Sequence, residues 1–300
     1  MARYKKYSKS PTFTILVVIV SIISCYLATN NEIDKSYSVS NRNTVTTDLK
    51  VYYLDVGQAD SILISNNNHN MLIDAGNNED GPKLVKYIKE ELNITKFDYV
   101  VGTHPHEDHI GGLDDIINNF TIDNILLPEV TTTSKTFEDV LDAIASKNLE
   151  ITIPKIDSTF KLGEADLSVI YSGTDEKNLN NSSIIIKMVF GDYSYLFTGD
   201  AEKEVEDIIL KKNINIDVLK VGHHGSSTSS SESFLNKVTP SYAIISVAKE
   251  NSYNHPSEST INRLRKYTDN IYMTSELGTI LLTSDGKSIN IDHFNTDTNG

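Results

Sequence analysis

The feature that most constrains this chain is a cluster of histidines and carboxylates that directly follows a predicted buried strand. The strand is expected at Phe97–Gly102, and the ten residues after it, 103–112, read THPHEDHIGG. Three of the eight histidines and two carboxylates fall within six residues of this run. Imidazole nitrogens and carboxylate oxygens are the ligands that borderline divalent metals prefer. The run therefore predicts a metal site rather than a solvated polar loop that is rich in histidine.

The spacing inside the cluster predicts which side chains face the same way. His104 and His106 are two residues apart, so an extended backbone directs both to one side. Asp108 and His109 lie on the turn into a helix, where they can face a second metal position. The glycine pair at 111–112 allows another segment of backbone to approach closely.

Hydrophobic periodicity predicts two halves with a similar pattern of strands and helices, and each half forms a mixed sheet with flanking helices. Packed sheet against sheet, the halves form an α/β fold, a four-layer αββα sandwich. In the first half we expect strands at 49–56, 61–65, 70–74, 97–102, 124–127 and 151–153 and helices at 82–92, 113–120 and 137–147. In the second half we expect strands at 167–171, 183–190, 193–198, 217–221, 242–247, 271–274, 279–283 and 288–293 and helices at 202–212, 231–238 and 257–267.

The His-x-His-x-Asp-His pattern is the signature of the metallo-β-lactamase superfamily. The chain resembles one branch of it, the extracytoplasmic hydrolase domain of ComEC-type competence proteins and their stand-alone relatives. The other stretches that carry the resemblance are LDVGQADS at 54–61, LIDAG at 72–76, LFTGDAE at 196–202, LKVGHHGS at 219–226 and NHP at 254–256. They stand in the family's order and imply a metallo-β-lactamase sandwich over residues 49–295.

The resemblance implies a ligand set for one or two metal ions. The implied metal ligands are His104, His106, Asp108, His109, Asp200 and His223. Asp200 resembles the carboxylate that bridges two metals, and its alternative role is the N-cap of the helix at 202–212. We expect His224 to point away from His223 along an extended chain and to act, like Asp74, by orienting ligands from behind.

The resemblance also implies roles in catalysis. Asp108 would orient the attacking water, and His255 would donate a hydrogen bond to a substrate oxygen. The alternative for His255 is a loop histidine that caps the helix beginning at Ser257. Ser226 and Ser227 would offer hydroxyl and N–H groups to a phosphate, and the alternative for them is a flexible solvated loop.

The chain departs from the superfamily pattern at the first metal position. No histidine or cysteine lies between His109 and Asp200, and Asn180-Asn181-Ser182-Ser183 stands where another ligand is usual. The protein ligands of the first metal would then be His104, His106 and Asp200, which leaves the site open to either Zn²⁺ or Mn²⁺. Ala59 also replaces a glycine that these relatives often carry.

The expected reaction is hydrolysis by water that the metal activates, since a bound metal makes hydroxide available near pH 7. The resemblance favours a phosphodiester substrate, with DNA as a candidate. The alternatives are a cell-surface hydrolase of another ester or amide (a phosphorylcholine or teichoic-acid esterase, or a β-lactamase) and a metal-binding surface protein without activity. The sequence indicates no protein partner.

The charge of the chain bears on the DNA hypothesis. It carries 27 Lys+Arg and 41 Asp+Glu, a net of -14. Four of the basic residues lie in 1–25, which hold no acid, so the rest of the chain carries 23 against 41. A nuclease would therefore need a local basic strip. The candidates for such a strip are Lys220, Lys249, Arg263, Arg265 and Lys266.

The N-terminus predicts an extracytoplasmic location. A basic start precedes an apolar run at 13–23, and Cys25, the one cysteine, stands in a sequence that resembles a lipobox. Residues 1–28 are either a lipoprotein-type signal peptide or a membrane anchor, and 29–48 are a linker. Both alternatives hold the domain at the outer face of the cytoplasmic membrane, and secretion after cleavage is a third.

Overall fold

A computed structural model describes residues 48–295. The predicted signal or anchor segment and nearly all of the predicted linker lie outside the described residues, as do residues 296–300. Within the described range, no helix is both long and apolar enough to cross a bilayer.

The first sheet has eight strands in the order β15-β14-β1-β2-β3-β4-β5-β6. Its strands are β1 (Leu49–Tyr53), β2 (Ile62–Asn66), β3 (His69–Ile73), β4 (Lys96–Val101), β5 (Thr121–Leu126), β6 (Ile151–Thr152), β14 (Thr279–Ser284) and β15 (Ile289–Phe294). Pairing is antiparallel from β15 to β3 and parallel from β3 to β6. The sheet is therefore mixed, as predicted.

The second sheet has seven strands in the order β13-β12-β11-β10-β9-β8-β7. Its strands are β7 (Thr159–Leu162), β8 (Ala165–Tyr171), β9 (Ile185–Phe190), β10 (Tyr193–Phe197), β11 (Val218–Lys220), β12 (Tyr242–Ile245) and β13 (Ile271–Met273). The strands β7 to β10 pair antiparallel, and β10 to β13 pair parallel. The short edge strand β7 was not predicted.

Three apolar layers hold four layers of secondary structure together. Along β1 the side chains alternate, so Val51 and Tyr53 enter the layer between the sheets while Tyr52 enters the layer under the first set of helices. The helices on the first sheet are Gly81–Glu90, Glu107–Ile110, Leu113–Asn119 and Lys135–Ser146. Those on the second sheet are Lys203–Ile209, Glu232–Val238 and Glu258–Leu264. The predicted αββα sandwich is confirmed.

The last two strands differ from the expectation of two self-contained halves. β14 pairs antiparallel with β1, and β15 lies outside β14, so both strands complete the first sheet. Ile280 and Leu282 of β14 are fully buried in the layer between the sheets. The C-terminal hairpin thus joins the two halves, which local periodicity does not reveal because it reports no pairing partner.

Candidate metal centre

The predicted site residues come from loops at the carboxyl ends of strands in both sheets. Asp74 follows β3, the histidine cluster follows β4, and Asp200 follows β10. The pair at 223–224 follows β11 in a 3-10 turn, Gly222–Gly225. Parallel neighbours end at the same sheet edge, which is why residues far apart in sequence meet here.

His104 and His106 converge as their spacing predicts. His104 Nε2 lies 3.0 Å from His106 Nδ1, and the His106 backbone is extended. The other ring nitrogen of His104 faces Thr103 Oγ1 at 3.1 Å and Ser183 Oγ at 3.4 Å. Burial lowers the pKa of both imidazoles below the ordinary value, so both rings are neutral near pH 7 and keep lone pairs for a metal.

A second group of donor atoms surrounds Asp200. Atoms of Asp108, His109, Asp200 and His224 all lie within 4.8 Å of one another. His109 Nε2 is 3.3 Å from Asp200 Oδ2, and His224 Nε2 is 3.6 Å from the same oxygen and 3.3 Å from Asp108 Oδ2. Both Nε2 atoms are buried and have no hydrogen-bond partner. Buried orphan nitrogens that face carboxylates fit a divalent cation, since a metal satisfies both at once.

Asp74 holds His109 from behind, in the manner we expected. Its Oδ2 lies 2.7 Å from His109 Nδ1 and accepts from Thr103 Oγ1, while Oδ1 accepts from the Thr103 amide. This carboxylate fixes the ring so that Nε2 faces Asp200. The loop after β4 packs closely against the loop after β3 at Gly111. A Cβ at this position would lie 2.3 Å from the backbone of Asn77, so the close approach that we expected requires a glycine.

The pair His223-His224 is not extended, and our expectation for it was wrong. Both residues have left-handed backbone conformations, with φ of 50° in each. His224 is fully buried and belongs to the tight donor group, while His223 is partly exposed, with Nε2 3.6 Å from Asp200 Oδ2. The turn therefore aims both imidazoles at Asp200, and His224 joins the ligand candidates.

Asp200 does not take its alternative role as a helix cap. The helix after it begins at Lys203, its N-cap is Glu202, and no side chain caps it. Asp200 is 2% exposed, and its backbone N–H donates to Ser183 Oγ. Burial opposes ionisation, but His109, His224 and His223 together hold the pKa of Asp200 well below its ordinary value.

Buried charges of both signs lie beneath the ligands. Lys220 is 1% exposed and pairs with the buried Asp60, and its Nζ lies 3.9 Å from Asp200 Oδ1. Burial opposes protonation of His109, yet the carboxylates of Asp200, Asp74 and Asp108 raise its pKa well above the ordinary value. The field that favours a proton on this ring equally favours a metal cation.

A cavity of about 290 Å³ opens onto the donor atoms. It is lined by Gln58, His106, Glu107, Asp108, Asn180, Asp200, His223, His224, Tyr253 and His255. His255 Nδ1 is buried without a partner, and its ring centroid is 5.6 Å from that of His223. Ser257, not His255, caps the following helix by accepting from the Thr260 amide. Burial lowers the pKa of His255, so a neutral ring with one N–H faces the cavity.

A larger cavity of about 610 Å³ adjoins the first and shares Gln58, Glu107, Asp108 and Tyr253 with it. Its lining is acidic, with Asp55, Glu79, Asp80, Glu107, Asp108 and Glu250 against Lys83. Tyr253 is 66% exposed and stacks on His255 at 5.7 Å. The approach to the metal centre thus disfavours negative charge.

Three of the five candidate residues for a basic strip make other contacts in the fold. Lys220 is buried against Asp60, and Lys266 pairs with Glu232 at 2.9 Å. The Arg263 guanidinium donates to the carbonyls of Ser229 and Ser230, which anchors the serine loop. Lys249 and Arg265 are exposed.

The serine loop is not the flexible solvated segment given as an alternative. Ser226 is buried, with its Oγ 3.0 Å from Thr228 Oγ1, and Ser227 is exposed. Glu206 accepts from the amides of Ser230 and Ser231. Neither Ser226 nor Ser227 lines the cavity at the donor atoms.

Three residues of the centre carried no assigned role in the sequence analysis. Asp60 lies in the stretch 54–61, between two strands, which placed it near the site without giving it a partner. Asn180 stands at the position where the superfamily usually has a further metal ligand and this chain has no histidine or cysteine. Glu202 lies 3.3 Å from His223 Nδ1 through its Oε1 and follows Asp200 in the stretch 196–202.

Comparison with known proteins agrees with this geometry. Residues 54–249, more than half of the chain, match the model of the Metallo-beta-lactamase superfamily. The chain is 28% identical to ComE operon protein 3 of Bacillus subtilis over 77% of its own length and 32% of that protein. Over 68 residues it is 44% identical to Competence protein ComA of Neisseria gonorrhoeae, which is 23% of this chain and 10% of the relative. The chain thus spans about a third or less of these relatives.

Solved structures show the same fold at low identity. The metallo-beta-lactamase fold protein YhfI from Bacillus subtilis aligns with a TM-score of 0.53 at 10% identity, over 82% of this chain and all of that one. CmlA, a diiron beta-hydroxylase from Streptomyces venezuelae, aligns with a TM-score of 0.51 at 13% identity, over 78% of this chain and 53% of that one. These likenesses bear on the fold alone, since one fold carries several chemistries. On its family match and the histidine–aspartate centre, the chain belongs to the metallo-β-lactamase superfamily.

Proposed function

We propose that this protein hydrolyses phosphodiester bonds at a centre whose donor residues, Asp200 among them, would hold two divalent metal ions. The observation that carries the proposal is the arrangement of donors: His104 and His106 converge on one side, and Asp108, His109 and His224 gather around the Asp200 carboxylate. Two metal positions side by side suit in-line displacement at phosphorus, where attacking and leaving oxygens both need stabilisation.

Each residue of the centre has a defined task in this reaction. The ligand residues would hold Zn²⁺ or Mn²⁺, which when bound lowers the pKa of water and offsets charge on phosphoryl oxygens. Asp108 is partly exposed to the cavity and is placed to orient the water. His255, with a neutral ring, donates one hydrogen bond to a substrate oxygen. Asp74 fixes the orientation of the His109 ring through its contact with Nδ1.

A DNA substrate is the first candidate, because the motifs of this chain resemble those of ComEC-type competence proteins and one relative is named Competence protein ComA. The acidic cavity favours a second candidate, a phosphoester that carries a cationic group, such as a phosphorylcholine ester of the cell surface. The six carboxylates that line that cavity would attract an ammonium group and repel a polyanion. The exposed ring of Tyr253 offers a face for a quaternary ammonium at its mouth.

We further propose that the domain faces outward from the cytoplasmic membrane, held by residues 1–28. A basic start followed by an apolar run supports this proposal. An outward domain would meet both candidate substrates, incoming DNA and cell-surface esters.

The test is a substrate panel for the purified protein after loading with Zn²⁺ or Mn²⁺. The panel contains linear DNA, bis-p-nitrophenyl phosphate, p-nitrophenyl phosphorylcholine and a β-lactam. We expect EDTA-sensitive cleavage of bis-p-nitrophenyl phosphate, and the ratio of DNA to phosphorylcholine turnover identifies the substrate class. Opening of the β-lactam with every phosphoester left intact would refute the proposal.

A further inference from the structure

The 3-10 turn Leu179–Ser182 brings one polar side chain to the cavity that no ligand assignment includes. Asn180 lines the cavity of about 290 Å³ together with His106, Asp200 and His223. Its Oδ1 is buried and has no hydrogen-bond partner. A buried amide oxygen left without a donor is costly unless something electropositive reaches it.

Glu202 decides which end of this amide faces the cavity. Asn180 Nδ2 donates to Glu202 Oε1 at 3.4 Å. A carboxylate accepts only, so the amide nitrogen must face it, and Oδ1 must turn away. Glu202 also accepts hydrogen bonds from Asn178 Nδ2 and Thr228 Oγ1, so donor groups surround its carboxyl group.

The turn that carries Asn180 is fixed on both sides. Asn181 Oδ1 accepts from the Glu202 amide at 3.0 Å, and the Ser183 amide donates to the Asn180 carbonyl at 3.1 Å. Ser183 Oγ in turn accepts from the Asp200 amide. The backbone of the turn that carries Asn180 is therefore held in place before anything binds, as a ligand position requires.

The chemistry of this oxygen selects what it binds. An amide oxygen cannot donate to a phosphate, so its partner in the cavity must be a cation or a donor group. His104 and His106 converge in the structure, and the resemblance adds Asp200 as a third donor for the first metal position, so a fourth donor would complete a tetrahedral set. Carbonyl oxygen is a ligand that suits Mn²⁺ better than it suits Zn²⁺.

We propose that Asn180 Oδ1 is an oxygen ligand of the metal held by His104 and His106, and that it biases this position toward Mn²⁺. The proposal rests on the metal centre of the proposed function, but it concerns metal affinity and not turnover. It also gives a physical role to the residue that stands where a further histidine or cysteine was expected.

The experiment titrates Mn²⁺ into the full chain, stripped of metal with EDTA and dialysed, while the EPR signal of free Mn²⁺ reports binding. We expect Asn180→Ala to lower the affinity for one of the bound Mn²⁺ ions by about 10- to 100-fold, the range seen when a metal loses a supporting group. Asn180→Asp keeps an oxygen at the same position and should bind Mn²⁺ at least as tightly as the wild type.

Asn178→Ala is the matched control, because Asn178 also donates to Glu202, at 2.7 Å, but does not line the cavity. We expect its Mn²⁺ affinity to stay within about twofold of the wild type. Wild-type affinity in Asn180→Ala, or an equal loss in Asn178→Ala, would overturn the proposal. Cleavage of bis-p-nitrophenyl phosphate is measured on the same samples, so a wild type that binds Mn²⁺ without turnover refutes only the proposed function.

Discussion

At the scale of single residues, the pair His223-His224 shows how backbone conformation decides which side chain reaches a metal. Alternation along an extended chain led us to separate the two rings. The left-handed φ of both residues, which costs roughly 1–3 kcal/mol each outside glycine, turns both toward Asp200. No residue type in this run signals that conformation, so the sequence located the pair but not its geometry.

Substitution of His224 tests its place among the ligands. His224→Ala should weaken metal binding by about 10- to 100-fold, because the ion would lose the Nε2 donor that lies beside Asp108 and Asp200. Metal content after dialysis is measured by elemental analysis. His293→Ala, an exposed histidine of β15, is the control. If His224→Ala retains the metal content of the wild type, His224 is not a ligand.

The buried pair Asp60–Lys220 supports the centre from below. Lys220→Met removes the nearest cationic partner of Asp60, which is 1% exposed, so the free energy of unfolding should fall by about 3–5 kcal/mol. Urea denaturation measures the loss. Lys96→Met breaks an exposed pair with Asp123 and should cost less than about 1 kcal/mol. Equal losses in the two variants would contradict the structural role of Lys220.

At the scale of elements, the strands were predictable wherever alternation was local. The strands β1 and β10 and the helix Lys135–Ser146 lie within a few residues of the predicted bounds, since each carries its own apolar pattern. The pairing of β14 with β1 joins positions more than 200 residues apart, and no local pattern specifies it. The strand β7 also alternates, with Thr159 and Lys161 exposed, but at four residues it is too short for the pattern to stand out.

The C-terminal hairpin should stabilise the whole domain, because the side chains of Ile280 and Leu282 pack in the layer between the sheets. Leu282→Ala removes a fully buried side chain and should lower the free energy of unfolding by about 2–5 kcal/mol. Val189→Ala on β9, where Val189 is 39% exposed, should cost less than about 1 kcal/mol. Urea unfolding of Leu282→Ala followed by tyrosine fluorescence and by circular dichroism should give one shared midpoint. Two separate transitions would mean that the halves fold independently.

At the scale of the whole molecule, the sequence led to the fold and the family through the order of its motifs. The histidine cluster and the stretches at 72–76 and 196–202 are local, and each lies at a strand end, where the site forms. The acidic cavity could not be predicted, because its carboxylates come from segments as distant as Asp55 and Glu250. The net charge of the chain indicates an acidic surface, but it does not show where on the molecule the acidic cavity lies.

The outward location that we propose is tested on intact cells. External protease should remove the folded domain, and Cys25→Ala should release or mislocalise a lipoprotein but leave a signal-anchor protein in place. Immunoblotting of cell and medium fractions distinguishes these results. A domain that resists protease in intact cells and is digested only after lysis would place the protein inside.

The central claim is that hydrolysis requires metal bound at the centre that contains Asp200, and one measurement tests it most directly. Metal content and cleavage of bis-p-nitrophenyl phosphate are followed together while Mn²⁺ or Zn²⁺ is returned to protein that EDTA has stripped. We predict that turnover rises only as the second metal equivalent binds, and that Asp200→Ala binds less metal and shows no turnover at any metal concentration. Full turnover in the stripped protein, or in Asp200→Ala, would contradict the claim.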